Sequence, residues 1–502
     1  MRSGDDPETL PRALQLTVAL GAVGGLALRV LFLVLRSGQL DSDEAIVGLM
    51  AIHALRDADL NTFFWGQSYG GTLEALLAVP GFALFGPSVL LLKLVPMTLS
   101  AVCALLVWRL GRATVGNRAG AVAGVAMWLW PATMVWFSTK ERGFYWVCLA
   151  LGLMFLLIAL EVVRRPDRVV PWLALGLLGG VGWWTSPQIL YFVVPGLVWV
   201  AAHRAGELKR LVVSLTAYAL PSAVVGSLPW LLYNASHHWQ SLYPTNHFND
   251  KGIVGNAWRL VSTGWPVILG LHINQEWIVP TVFPLLYIAV LLWLVRRALQ
   301  QPSRTLLPVV ALLTYIPIYA RFPVSGVIGE GRYVLFALPF FALLIAHALR
   351  RPAFQIAFVV AVATLTATTI RPIVDASGQY AVDERVPSNF GPLLDMLEHD
   401  GVRRVVADYW VAYRITFETD RKVIAASFTD NRYLPYQEAV RGSEDVAWVF
   451  LDGTYLIEPF EQELARRKIA ARRTTVAEFV VFQPERPLVC WPSAWPERQT
   501  CD

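Results

Sequence analysis

Three acidic residues follow the first long apolar run of the sequence, within one helical turn of one another. They are Asp41, Asp43 and Glu44. Carboxylates that lie close together and partly out of water repel one another and hold a proton more tightly, which suits a general base. The structural alternative is a helix start, because Asp41 or Ser42 can cap a helix and acids favour its first turn. We interpret Asp41 as the cap and Asp43 and Glu44 as catalytic candidates.

Two further groups of charged residues interrupt apolar runs and suggest an anion site. They are Lys140, Glu141 and Arg142, and then Arg321, Glu330, Arg332 and Tyr333. Charges near bilayer depth cost a few kcal/mol each, so they need a compensating role. For the first group, the alternative is a corner between two helices whose side chains reach the interface. In the second, Arg332 opposes the dipole of the helix that it begins, and a bound anion would offset this cost.

Weaker candidates stand at the ends of apolar runs and strands. Trp184 and Gln188 lie at one such edge, where anchoring at the membrane interface explains the tryptophan. His237 and His238 are adjacent, which is a weak metal-site pattern without a second spaced pair. Asp408 ends a predicted strand, where it either contacts a ligand or caps the following helix.

The composition indicates a membrane protein. Of 502 residues, 55% are hydrophobic and 16% are charged, and the mean hydropathy is +0.49. These values exclude a disordered chain, a coiled coil and an ordinary soluble enzyme. The net charge of +5 is explained by basic membrane loops, so we infer no nucleic-acid partner. Four cysteines exclude a disulfide scaffold, while Cys490 and Cys501 either pair outside the membrane or stay reduced.

About eleven apolar runs are long enough to be candidate membrane spans. They occupy residues 14–35, 88–108, 119–137, 144–163, 171–186, 188–202, 211–233, 278–295, 305–320, 333–349 and 353–370. The pair on either side of Pro187 is short, and one broken element is the alternative. Arginines concentrate in alternate short loops, which predicts a cytoplasmic N-terminus by the positive-inside rule.

Three segments on the opposite, outer side are too long for tight turns, and long ordered loops often carry function. They are residues 37–87, 234–277 and 321–332. Within the first, 43–55 has helical periodicity and 73–85 is apolar, and both are expected to lie along the interface. We therefore predict a transmembrane catalytic module over residues 1–371.

From residue 372 charged residues become frequent, which predicts a second, extracytoplasmic domain over residues 372–502. Helices are predicted at 389–400, 409–419 and 456–468, and strands at 402–408, 423–426, 446–451 and 476–483. This alternation predicts a small α/β domain with a partly parallel sheet.

The whole arrangement resembles the GT-C glycosyltransferases, and especially their bacterial family 39 branch, which is related to protein O-mannosyltransferases and aminoarabinose lipid A transferases. The resemblance is carried by Asp43-Glu44-Ala45 followed by FFWGQSYGGTLEALLAVPGFALFGPS over residues 63–88. The run VVADYWVAYRITFETDRKVIAASF over residues 405–428 is also similar.

The resemblance implies a GT-C fold with about eleven transmembrane helices and an extracytoplasmic α/β domain, in a bacterial cytoplasmic membrane. It implies inverting transfer of a sugar from a polyprenyl-phosphate donor to an acceptor hydroxyl on the outer face. Asp43 would be the general base, with Glu44 beside it. The donor phosphate would be bound by Arg332 and Tyr333, together with Lys140 and Arg142.

The remaining candidates are expected to contact substrate. They are Gln67, Tyr69, Glu74, Gln188, His238, Glu330 and Asp408. A divalent metal stays open, because Asp41-Ser42-Asp43 has an Asp-x-Asp spacing. The sugar cannot be read from the sequence, and the acceptor is a glycolipid, a polysaccharide or a protein. The rival interpretations are a transporter or flippase of lipid-linked glycans, a polysaccharide polymerase or ligase, and a non-catalytic scaffold of the same fold.

Overall fold

The structure is a computed structural model that describes residues 9–35, 39–243, 251–273, 276–322, 328, 331–377, 379–380, 383–384, 387 and 389–488. Its N-terminal part is helical. The helices are α1 Arg12–Val34, α2 Ser42–Arg56, α3 Leu73–Phe85, α4 Val89–Thr114, α5 Asn117–Leu129, α6 Ala132–Phe137, α7 Tyr145–Arg164, α8 Val169–Thr185, α9 Leu190–His203, α10 Leu208–Ser214, α11 Leu220–Gly226, α12 Leu228–Ser236, α13 Gly252–Arg259, α14 Trp265–Ile268, α15 Phe283–Gln300, α16 Pro302–Arg321, α17 Leu338–Ala348, α18 Pro352–Thr368 and α19 Ile370–Ser377. Two short hairpins pair β1 His272–Ile273 with β2 Glu276–Trp277, and β3 Gln379–Tyr380 with β4 Asp383–Glu384.

Several helices can cross a membrane, as predicted. Within the described residues, five qualify by length and composition: Arg12–Val34, Val89–Thr114, Tyr145–Arg164, Ala205–Gly226 and Phe283–Gln300. Shorter apolar helices cover other predicted spans, including α8, α9, α17 and α18. The total of about eleven spans stays a prediction.

Prolines account for the breaks in the predicted spans. The run 119–137 divides into α5 and α6 on either side of Pro131, since a proline lacks the N–H that would continue the helix. Pro187 opens a 3₁₀ turn, Pro187–Ile189, between α8 and α9, which are separate helices. Helix α7 is largely buried and packs against α4, α8 and α9, which makes it central to the helical core.

The C-terminal region, residues 389–488, contains a mixed five-stranded sheet. Its strands are β5 Arg404–Ala407, β6 Ile424–Ser427, β7 Ala447–Leu451, β8 Ala471–Val476 and β9 Phe479–Pro484. Its helices are α20 Gly391–His399, α21 Tyr409–Glu418, α22 Leu434–Arg441 and α23 Ile457–Arg467. The strand order is β6-β5-β7-β9-β8. Strands β6, β5 and β7 are parallel to one another, and β9 runs antiparallel to both of its neighbours, β7 and β8.

The predicted elements of this region are confirmed within a few residues, but β8 and α22 were missed. Strand β8 (ARRTTV) is an exposed edge strand and lacks an apolar face that would reveal it in the sequence. Buried apolar residues cover both faces of the sheet, with Val405 and Phe479 on one side and Val406 and Trp448 on the other.

The C-terminal region docks on α2 through α21 and the loops around it. Phe417 packs with the apolar side of α2, and Trp65 stacks on Tyr433 with 3.9 Å between ring centroids. At the edge of this contact, Arg56 forms a bidentate ion pair with Asp420, with N–O distances of 2.8 and 2.9 Å. Helix α2 therefore packs against both the helical part and the C-terminal region.

Candidate active site

Helix α2 begins as the sequence predicts, with Asp41 as its cap. The Asp41 side chain accepts a hydrogen bond from the Glu44 backbone N–H at 3.2 Å. This bond satisfies one of the donors that a helix start leaves unpaired. It also places Asp43 and Glu44 in the first turn, where the helix dipole favours negative charge.

Arg142, from the turn between α6 and α7, binds two of the three acids. Its Nη1 and Nη2 atoms donate to Asp41 at 2.8 and 2.7 Å, and Nη1 also donates to Asp43 Oδ2 at 3.0 Å. Burial would raise the pKa of Asp41, but Arg142 and Lys140 lower it, and the pKa lies well below its ordinary value. The expectation that these acids hold a proton more tightly is wrong for Asp41, because Arg142 and Lys140 lie beside it.

Glu44 lies in a buried ion-pair cluster. Its carboxylate is fully buried; it accepts from Lys93 of α4, from Lys140 at 2.7 Å and from the Glu141 backbone N–H at 3.3 Å. Lys140 also lies 3.8 Å from Asp41. Sequence reasoning missed Lys93 because it stands inside an apolar run without local signs of a partner.

Asp43 is the acid that faces open space. Its side chain is 22% exposed, and Arg332 Nη1 lies 3.9 Å from its Oδ2 atom. The other oxygen, Oδ1, accepts a hydrogen bond from the Tyr409 hydroxyl at 2.6 Å. Asp43 therefore accepts hydrogen bonds from two separate parts of the chain, Arg142 and Tyr409, and a third part supplies the nearby charge of Arg332.

Tyr409 reaches Asp43 because Asp408 caps the helix that carries it. Asp408 accepts from the Trp410 backbone N–H at 2.9 Å and from the Thr429 hydroxyl at 3.2 Å. Asp408 does not line the cavity beside Asp43, so of its two predicted roles the structure supports the cap. Burial, with Asp43 close by, raises the pKa of Tyr409 well above its ordinary value.

A cavity of about 410 Å³ opens beside Asp43. Its polar lining includes Arg142, Arg332, Arg432, Gln67, Tyr69, Tyr333 and Gln188. Its aromatic walls include Phe63, Phe144, Tyr145, Trp183, Trp184 and Trp230. Three arginines and one aspartate give this wall a positive character, so the cavity suits a ligand with both an anionic and an apolar part.

The loop over residues 63–71 carries Gln67 and Tyr69 to the cavity wall. Its ends approach closely, since the Phe64 N–H donates to the Gly70 carbonyl at 2.8 Å. Gly70 has a φ of +78°, and a Cβ atom there would lie 2.4 Å from the Phe144 ring. Only glycine fits this position without moving the cavity wall.

Several predicted site residues lie away from the cavity. Glu44 and Lys140 are buried in the ion-pair cluster, and Glu74 is buried within α3. His238 is exposed in the turn after α12, while Glu330 lies outside the described residues.

Two further charged residues lie near the site: Arg432 of the C-terminal region at the cavity, and Glu141, buried in the turn between α6 and α7. Arg432 was missed by sequence reasoning; it lines the cavity, and its guanidinium lies 5.5 Å from the centre of the Tyr409 ring. Glu141 is buried close to Glu74, which raises the pKa of Glu141 well above its ordinary value.

Among the residues that the structure describes, no three His, Cys, Asp or Glu side chains converge in the manner of a metal site.

The chain has the fold of ArnT. The apo crystal structure of ArnT from Cupriavidus metallidurans matches with a TM-score of 0.64 and 14% identity, over 94% of this chain and 98% of that chain. The same protein bound to undecaprenyl phosphate matches with a TM-score of 0.61, 14% identity and the same coverage. This is a GT-C fold, as the sequence resemblance implied. No family model matches the sequence, and no curated protein sequence matches it significantly.

Proposed function

We propose that the protein is an inverting membrane glycosyltransferase that moves a sugar from a polyprenyl-phosphate donor to an acceptor hydroxyl. The observation that carries this proposal is Asp43, a partly exposed carboxylate at a cavity that arginines and aromatic rings line. The ArnT fold supports it, because that protein has been crystallised with undecaprenyl phosphate.

The donor phosphate binds at Arg332 and Tyr333, with Arg142 and Arg432 close by on the same cavity wall. Arginine suits this task because its planar group donates two hydrogen bonds to a phosphate. In this structure Arg332 lies near Asp43. A donor phosphate bound there competes with Asp43 for Arg332.

Asp43 acts as the general base. It takes the proton of the acceptor hydroxyl while the acceptor oxygen forms a bond to the anomeric carbon. The bond from that carbon to the phosphate oxygen breaks, and the phosphate leaves with the electron pair. The arginines stabilise the leaving charge. A single displacement from the opposite face inverts the anomeric configuration.

Glu44, Lys93 and Lys140 support this site without lining the cavity. Their buried charges hold the start of α2 against α4 and against the turn that carries Arg142. Lys140, which the sequence resemblance placed on the donor phosphate, is therefore assigned to the support of Glu44.

The acceptor binds on the outer face of a bacterial cytoplasmic membrane, where the C-terminal region lies. The concentration of arginines in alternate short loops supports this orientation. The acceptor is a glycolipid, a polysaccharide or a protein that offers a hydroxyl group.

The test is sugar transfer by the purified protein in a lipid bilayer. A panel of polyprenyl-phosphate-linked mannose, arabinose and galactose is offered with a membrane glycolipid extract. Asp43→Asn should lower the rate about 10²- to 10⁴-fold. Asp452→Asn, which changes an exposed carboxylate in the C-terminal region, should leave it unchanged.

Each contrary outcome has a distinct meaning. If Asp43→Asn transferred sugar at the rate of the wild type, the assignment of Asp43 as the base would be overturned. Binding of undecaprenyl phosphate without transfer from any donor would instead favour a carrier or a scaffold.

A further inference from the structure

The hydroxyl of Tyr409 contacts the proposed base but has no part in the steps above. It comes from α21 of the C-terminal region and donates to Asp43 Oδ1 at 2.6 Å. We propose that Tyr409 is a positioning residue, which holds the Asp43 carboxylate in the orientation that receives the acceptor proton. This inference rests on the proposed function.

An aspartate carboxylate needs such a partner because its terminal torsion has a broad energy minimum. Arg142 fixes only the Oδ2 atom of Asp43, at 3.0 Å. The Tyr409 bond fixes the Oδ1 atom, and the two donors together define the plane of the carboxylate. A carboxylate oxygen can accept more than one hydrogen bond, so Asp43, which lines the cavity, can still receive the incoming hydroxyl.

Tyr409 is itself held firmly. Asp408 caps the start of its helix, and its ring contacts Trp410 and Tyr413 with centroid distances of 4.8 and 5.6 Å. The Arg432 guanidinium lies 5.5 Å from the same ring. Burial holds the pKa of Tyr409 well above its ordinary value. The hydroxyl therefore stays protonated and can donate its hydrogen bond to Asp43.

The other charged or titratable groups that face Asp43 come from four parts of the chain. They are Arg142 after α6, Arg332 before α17, Arg432 in the C-terminal region and Tyr69 in the loop over residues 63–71. The arginines stay cationic through the working pH range. Removing the Tyr409 hydroxyl therefore changes one hydrogen bond and leaves the charges in place.

Tyr409→Phe should lower kcat about 10- to 100-fold, with little change in the KM for the donor, because hydrogen bonds to charged groups contribute this much. The acid limb of the kcat/KM profile should also move to higher pH. The sign follows because a carboxylate that loses a donor holds its proton more tightly. A residue with a merely structural role would not move this limb.

Tyr436→Phe is the matched control. The Tyr436 hydroxyl hydrogen-bonds His53 at 2.8 Å across the same contact between α2 and the C-terminal region, and it does not touch Asp43. Its kcat should stay within about three-fold of wild type, because the change removes one bond away from the cavity. Thermal unfolding of both variants in detergent reveals any loss of folding.

The outcomes separate this inference from the proposed function. An active wild type, an inactive Asp43→Asn and a Tyr409→Phe variant with wild-type kcat and pH profile would overturn the role of Tyr409 alone. Equal losses in Tyr409→Phe and Tyr436→Phe, with an unmoved acid limb, would reduce it to an interface contact. A wild type that transfers no sugar would overturn the proposed function, and this inference with it.

Discussion

The three acids at the start of α2 are divided between two sets of cations. Arg142 holds Asp41 and Asp43 together, while Lys93 and Lys140 enclose Glu44. Buried charges are tolerated where partners and hydrogen bonds compensate for lost hydration. Asp43 alone among the three lines the cavity, and under the proposed function Glu44 supports the site and takes no part in the reaction.

Glu44→Gln tests this division. The change leaves Lys93 and Lys140 without their shared carboxylate, and breaking a buried ion pair costs roughly 3–5 kcal/mol. The thermal midpoint of the protein in detergent should fall clearly. Glu161→Gln, which removes the half-buried partner of the exposed Arg165 at 3.1 Å, should shift the thermal midpoint little. A Glu44→Gln variant that is as stable as the wild type but inactive would indicate that Glu44 takes part in catalysis.

At the scale of elements, the cavity depends on segments that are short and locally constrained. The capped first turn of α2 aims Asp43, the capped first turn of α21 aims Tyr409, and the loop over residues 63–71 supplies Gln67 and Tyr69. Sites on rigid element ends are more precise than sites on long loops.

Gly70→Ala should disturb the loop over residues 63–71 and lower kcat/KM for the donor roughly 10- to 100-fold, because small displacements at a reaction site have effects of this size. A Cβ atom at Gly70 would meet the Phe144 ring at 2.4 Å. Gly86→Ala is the control, since Gly86 has a φ of +79° but nothing within 4 Å of its added Cβ. Steady-state kinetics of both variants test this prediction. Equal losses of kcat/KM in the two variants would show that backbone strain causes the loss, and not the contact with Phe144.

The sequence predicts most elements because their causes are local. The cap at Asp41, the apolar spans and the alternation of strands and helices after residue 389 all follow from neighbouring residues. The missed residues depend on distant partners. Lys93 pairs with Glu44, and Arg432 lies near Asp43 because the C-terminal region packs on α2, which no local pattern in the sequence shows.

At the scale of the whole molecule, the helical part and the C-terminal region build one site together. Asp43 and Arg142 come from the first, and Tyr409 and Arg432 come from the second. The match to ArnT covers 94% of the chain, so the fold likeness includes both parts. A site shared in this way requires that the C-terminal region lie on the side of the membrane where the acceptor binds.

Cysteine labelling in intact cells tests this orientation. Asp452→Cys, placed on the exposed C-terminal region of a chain with Cys490→Ser and Cys501→Ser, should react with a membrane-impermeant maleimide. Arg165→Cys, in a loop predicted to be cytoplasmic, should react only after the cells are opened. The reverse pattern would place the C-terminal region in the cytoplasm and contradict the positive-inside assignment.

The configuration of the product tests the central claim most directly. A polyprenyl-phosphate sugar of defined anomeric configuration is offered to the purified protein in a lipid bilayer, and the new linkage is examined by NMR. A single displacement with Asp43 as the base predicts inversion at the anomeric carbon. A product that keeps the configuration of the donor would contradict it, since retention requires two displacements and a nucleophile on the protein.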